Sequence, residues 1–199
     1  MASQPAPQDS NAAGIDDADC PCPHLPRRKV AAMLTMRHET DGDAPGIDMV
    51  LHACFPSAAE ARLVSMLRAS RNLSVSLVAL WSERIIGHVA SSPVETDSGG
   101  RGLGLAPVAV LPEYRRQGIA GQLVEQAILA SQRAGWTWMV VLGDPRYYQR
   151  FGFRPASRFQ LRSVYGDGDV FQAQELRTGG MPPLGGMVRY REEFDACGC

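Results

Sequence analysis

The stretch from Val108 to Leu123, Val-Ala-Val-Leu-Pro-Glu-Tyr-Arg-Arg-Gln-Gly-Ile-Ala-Gly-Gln-Leu, constrains this chain more than any other. An apolar run passes into a loop carrying Arg115, Arg116, Gly118 and Gly121, and helical spacing follows. The first four N–H groups of a helix have no partner inside it, and the helix dipole puts roughly half a positive charge there. Gly118 and Gly121 have no Cβ, so a ligand can come close to the main chain. Arg115 and Arg116 add planar, cationic forks that suit phosphate oxygens. The stretch therefore reads as an anion site at a strand–loop–helix junction.

Two familiar phosphate loops do not fit. A P-loop requires Gly, four spacers and Gly-Lys-Ser/Thr. The only lysine, Lys29, is far from this loop. The dinucleotide fingerprint requires Gly-x-Gly-x-x-Gly between strand and helix. Gly102-Leu-Gly104 lies in or before the apolar run and opens no helix.

At 199 residues and 45% hydrophobic, the chain is expected to form one globular domain. A net charge of −1 without a basic stripe argues against nucleic acid. No run approaches the roughly 18 apolar residues of a membrane helix. The N-terminus lacks the pattern of a secretory signal, so a cytoplasmic location is expected. Residues 1–31, rich in Pro, Ala, Ser and Asp, read as a disordered tail before a single domain at 32–199. Cys20 and Cys22 near one end, and Cys197 and Cys199 at the other, read as reduced thiols on tails. Their Cys-x-Cys spacing is poor for zinc, so no metal site is assigned, although a metal or disulfide clasp joining the ends is left open.

Periodicity places strands at 34–37, 73–81, 85–91, 102–110 and 138–142, another beginning at Phe153, and a last one at 187–190 antiparallel to it. Helices are expected over 47–55, after a capping box at Ser57-Ala-Ala-Glu60, and over 118–134 with Gly135 as left-handed cap. Asp144-Pro145 starts a short helix. Residues 102–142 form one right-handed βαβ unit. Pro107 breaks a ladder, so a bulge or edge is expected there.

Arg115-Arg-Gln-Gly118-Ile-Ala120 has the form Arg/Gln-x-x-Gly-x-Gly/Ala, and Tyr148-Gln-Arg-Phe-Gly152-Phe153 follows in the right order. With both blocks, the chain resembles the GNAT superfamily of acetyl-CoA-dependent N-acetyltransferases from about Met33 to Phe194. Ile86-Gly-His-Val89, Leu103-Gly-Leu-Ala-Pro107 and Leu142-Gly-Asp-Pro145 resemble its bacterial YhbS-like branch. The resemblance implies an α+β (α/β/α layered) fold. Its sheet would be mixed and mostly antiparallel, of about seven strands, with a splayed central parallel pair. It also implies acetyl-CoA as cosubstrate and an amine, small molecule or peptide, as acceptor.

By the same resemblance, main chain at Val108, Ala109 and Val110 would hold the pantetheine arm. The Val110 N–H is the preferred donor to the thioester carbonyl. Amides of Gln117, Gly118, Ile119, Ala120 and Gly121 would hold the pyrophosphate, with Arg115, Arg116 and the Gln122 side chain at its rim. Tyr148 is the implied general acid, since a phenol keeps its proton at neutral pH. Tyr147 beside it is a further cofactor contact and the alternate acid. The base is open. Residues 103–110 contain no carboxylate, Glu113 points to solvent, and His88 is either a proton relay or a structural histidine.

The acceptor pocket is expected from loops 40–56, 94–101 and 160–186, with Thr178 to Gly186 bordering the cleft or a homodimer contact. The alternatives to an enzyme are a non-catalytic acyl-CoA sensor and an interaction protein clasped by its terminal cysteines.

Overall fold

The computed structural model describes residues 33–166 and 168–198. The tail at 1–31, with Cys20 and Cys22, lies outside the described residues, and so does Cys199.

β1 (Leu34–His38) leads through a 3-10 turn into α1 (Ala44–Cys54) and α2 (Ala59–Ala69). Asp43 anchors that turn, accepting from Thr40 N at 2.6 Å and from Arg37 Nη1 at 2.6 Å. β2 (Val75–Trp81), β3 (Arg84–Thr96) and β4 (Arg101–Val110) form an antiparallel meander. α3 (Ile119–Arg133) then crosses to β5 (Trp138–Leu142), which runs parallel to β4. After α4 (Pro145–Tyr148) come β6 (Arg154–Pro155), β7 (Leu161–Ser163), β8 (Phe171–Glu175), β9 (Gly186–Arg189) and α5 (Glu193–Cys197).

The sheet order is β1-β2-β3-β4-β5-β8-β6, and β9 joins β3 to β7 off this path. Nine strands are described where about seven are expected. The last strand also departs from expectation. β9 is antiparallel to β3 and parallel to β7, and it does not pair with the strand after Phe153. The partner of that strand is β8, which also pairs with β5. Gln172 and Gln174 conceal β8 from a hydrophobicity reading, yet Gln172 is fully buried and donates to Gly143 O at 3.3 Å.

α3 buries Ile119, Leu123, Val124, Ala127 and Ile128. Each large side chain among them contributes about 1.5–3 kcal/mol on leaving water. They join Ile47, Val50 and Leu51 of α1 and the apolar strands in one core. Gly135 ends the helix at φ 87°, as expected. The capping box at 57–60 is not formed. α2 begins one residue later than the box requires, with Ala58 as N-cap. Ser57 Oγ accepts only from Ala59 N, at 3.1 Å, and the Glu60 carboxylate is turned elsewhere.

Candidate active site

The site is built on the break between β4 and β5. The two pair only at Leu103 with Met139 and Gly104 with Val140. Beyond Gly104 the strands part, and the β5-facing edge of β4 is left without a strand. The bulge expected at Pro107 lies at this point. Val89 pairs with Val108 and Ser91 with Leu105, so Ala106 and Pro107 together oppose Ala90.

The bulge settles which peptide groups face the gap. The Leu111 N–H donates back to Ile86 O of β3 at 2.9 Å. Alternation along the strand turns the peptide groups of Val110 and Val108 to the opposite edge. There Arg115 Nε donates to Val110 O at 2.9 Å. This bond ties the loop to the end of the strand.

The loop turns twice through left-handed backbone, at Arg116 (φ 60°) and Gly118 (φ 81°). The first hydrogen bond of α3 runs from Gln122 N to Gly118 O, at 3.0 Å. The amides of Ile119, Ala120 and Gly121 therefore stand at the open end of the helix. A cavity of 520 Å³ opens over them. Val108, Ala109 and Val110 form one wall, and Arg115, Arg116, Gly118, Ile119, Ala120 and Gly121 form the floor. Tyr147 closes it from α4. Gln117 and Gln122 are exposed and outside its lining, and Gln117 Nε2 donates to Glu113 O at 3.4 Å.

Arg150 also lines this cavity and was not anticipated. Its guanidinium lies over Tyr147, 4.0 Å from the ring centroid, and over Phe151 at 4.7 Å. The i,i+3 spacing from Tyr147 was the signal available in the sequence.

α4 is short, as Asp144-Pro145 suggests. Asp144 Oδ1 accepts from Arg146 N at 2.9 Å, capping it. The helix sets Tyr148 at the far end of the break in the sheet. Its ring packs edge-on to Tyr147 and to Phe153, with centroids 5.0 Å and 5.8 Å away. It also lies so close to Gly143 that a Cβ there would sit 2.4 Å from Cε2. Burial, reinforced by the neighbouring Tyr147, pushes the Tyr148 phenol up to about 12.

A second cavity, of 400 Å³, lies on the Tyr148 side. Val108 and Phe55 line both cavities, so the two adjoin. Its walls come from Leu105 to Val108 of β4, Glu60 and Leu63 of α2, and Tyr165, Tyr190 and Phe194 near the C-terminus. Of the loops expected to shape it, 40–56 contributes Phe55 and 160–186 contributes Tyr165. Residues 94–101 and 178–186 are absent from its lining.

His88 lies away from both cavities and is fully buried. Its Nε2 lies 2.9 Å from Ser76 Oγ and 3.7 Å from Glu39 Oε2. Burial lowers its pKa despite the neighbouring Glu39. Glu113 is exposed and pairs with Arg84 at 3.1 Å.

Comparison with known proteins adds an independent line. The family model for the acetyltransferase (GNAT) domain matches residues 72–155. The uncharacterised N-acetyltransferase YhbS of Escherichia coli K12 is 40% identical over 165 residues, which is 81% of this chain and 99% of that protein. The crystal structure of YhbS from Escherichia coli in complex with CoA superposes with a TM-score of 0.79 at 40% identity, covering 83% of this chain and 93% of that one. A GNAT family acetyltransferase from Brucella melitensis in complex with acetyl-CoA gives a TM-score of 0.70 at 34% identity, covering 82% and 99%.

Proposed function

The chain belongs to the GNAT acetyltransferase family, and on that premise we propose that it moves the acetyl group of acetyl-CoA directly onto a primary amine held beside Tyr148. The observation that carries this reading is the pair of adjoining cavities. One opens over the first turn of α3, the other holds Tyr148, and Val108 lines both. CoA and acetyl-CoA complexes of the YhbS and Brucella relatives support the choice of cosubstrate.

In this reading the amides of Ile119, Ala120 and Gly121 and the guanidinium groups of Arg115, Arg116 and Arg150 hold the pyrophosphate. The unpaired edge at Val108 and Val110 takes the pantetheine arm as a strand would be taken. The Val110 N–H donates to the thioester carbonyl as negative charge grows on its oxygen. Tyr148 gives its proton to the departing thiolate. Holding both reactants in neighbouring cavities supplies most of the acceleration, because bimolecular encounter becomes intramolecular.

The reading sets the enzyme in the cytoplasm. Among the described residues no helix is long and apolar enough to cross a membrane.

Calorimetry with CoA, followed by thiol release from acetyl-CoA in the presence of an amine panel, tests the proposal. Binding at a single site, and a melting temperature that rises with CoA, are expected. At a hundred times Kd the stabilisation is about 2.7 kcal/mol. Absence of binding overturns the reading.

A further inference from the structure

The cavity beside Tyr148 has one charged group in its described lining, Glu60. This residue stands in the first turn of α2, and its Oε2 is buried without a hydrogen-bond partner among the described residues. A buried, unpaired polar atom is costly, and a charged one more so. Binding sites sustain that cost where a ligand brings the missing donor. The neighbouring acids lie outside the lining of this cavity and each has a hydrogen-bond donor at one oxygen, although Glu193 Oε2 is also buried without a partner among the described residues. Glu193 accepts from Ser70 and, at 2.7 Å, from Asn72, and Asp195 accepts from the Tyr165 hydroxyl.

The remaining polar side chains of the wall are the phenols of Tyr148, Tyr165 and Tyr190, and no Arg, Lys or His among the described residues lines it. Tyr190 packs on Tyr165 with centroids 5.3 Å apart and on Phe194 at 4.9 Å, forming a continuous aromatic face. Ring faces attract a cation and also cover apolar surface.

We propose that Glu60 receives the acceptor amine, a single ammonium group on a compact aromatic or similarly apolar body, and removes the proton that must leave before attack. This rests on the acetyl-transfer reading above. A second positive charge on the acceptor would be buried against rings without a partner, which disfavours polyamines and aminoglycosides. The volume of 400 Å³ is near the small end for ligand pockets, and the acetyl end of the thioester takes part of it.

The protons balance. Glu60 takes one from the ammonium, and the freed lone pair forms the C–N bond at the thioester carbonyl carbon. The C–S bond breaks with its electrons on sulfur. Tyr148 protonates the sulfur and recovers a proton from the new amide nitrogen, and Glu60 returns its proton to water. The sum converts ammonium and acetyl-CoA into acetamide, CoA thiol and one proton.

The test uses the full chain with 2-phenylethylamine and spermidine as probes. The expected result is a kcat/KM for 2-phenylethylamine at least tenfold above that for spermidine. Wild type takes the ammonium form, so its kcat/KM stays level from pH 6 to 8. Glu60→Gln must wait for the neutral amine. Its kcat/KM falls on the order of a hundredfold and climbs about tenfold per pH unit, with CoA still bound. Glu60→Asp restores the level profile. Spermidine equal to or better than 2-phenylethylamine overturns the proposal, as does a Glu60→Gln variant with wild-type rate or a level profile. If wild-type protein fails to bind acetyl-CoA, the acetyl-transfer reading itself falls, an outcome distinct from the others.

Discussion

Tyr147 and Tyr148 are consecutive and packed edge to face, with centroids 5.0 Å apart and planes at 78°, yet they line different cavities. Tyr147 faces the open end of α3 and Tyr148 faces the aromatic pocket. One turn of helix thus holds the two cavities together.

Removing the Tyr148 hydroxyl should separate binding from chemistry. Tyr148→Phe is expected to lower kcat by about a hundredfold or more while leaving CoA affinity and melting temperature close to wild type. The pH profile adds a second check. An ordinary phenol loses its proton near pH 10, but burial raises that of Tyr148 to about 12. The acid form persists below that value, so no alkaline fall in kcat from this group is expected at pH 9–10. A rate that halves near pH 10 in wild type and not in the Phe variant would contradict the environment described for this ring.

Gly143 leaves no room for a side chain beneath Tyr148, since a Cβ would meet the ring at 2.4 Å. Gly143→Ala must displace that ring, which is hemmed in by Phe153 and Tyr147. A tenfold or greater loss in kcat, with little change in CoA affinity, is expected from a shift of about 1 Å. Steady-state kinetics together with CoA titration distinguish this from general damage.

Arg115 acts at two places through one bond. Its Nε holds Val110 O at 2.9 Å while the residue lines the cavity over α3. Arg115→Ala is expected to weaken CoA binding and also to lower kcat. A hydrogen bond from a charged donor contributes about 1.5–3 kcal/mol, equivalent to roughly tenfold to a hundredfold. Arg116→Ala, with no such bond to β4 described, should affect affinity alone. Equal effects of the two variants on kcat would show that the bond to Val110 has no catalytic consequence.

Glu39 joins β1 to the core through Arg68 at 2.9 Å and Ser76 at 2.5 Å, with His88 at 3.7 Å. Burial pushes its carboxyl up, but the contacts from His88, Arg68 and Ser76 outweigh burial and hold it at about 2. A depressed pKa means that the stabilisation is complete above the unfolded value, near pH 4.5, and is lost as pH falls toward 2. Glu39→Gln should therefore destabilise the fold at pH 7, by about 1–3 kcal/mol for the polar groups left unpaired. The gap from wild type in urea melts should narrow between pH 4.5 and pH 2.5. A gap independent of pH would assign the effect to packing.

The cofactor end of this molecule is legible in the sequence because its chemistry is backbone chemistry. Gly118, Gly121 and the two arginines mark where main chain bends, opens and carries charge, and the structure places them around one cavity, with Pro107 lining the adjoining one and Gln117 and Gln122 outside the first. The cavity beside Tyr148 is hidden for the opposite reason. Phe55, Glu60, Tyr165, Tyr190 and Phe194 lie on separate segments, and each alone looks like ordinary core or surface. Glu60 reads as half of a helix cap until the helix is seen to start one residue later. His88 shows the converse. Its residue type suggests chemistry, but only the sheet reveals that Glu39 and Ser76 surround it. β8 escapes because two glutamines break its apolar run, although their amides donate to Gly143 O and Phe151 O.

Most of the cavity over α3 is lined from one stretch of chain between Val108 and Gly121, whereas the cavity beside Tyr148 adds to the end of β4 residues gathered from α2, the segment after β7 and the C-terminal end. Heredity can therefore treat the two separately. Under the proposed reading, exchange of a C-terminal piece, or drift in α2, would alter which molecules are modified while leaving the loop and helix start that hold the coenzyme in place. Descendants of such an enzyme can diversify in diet while sharing one engine.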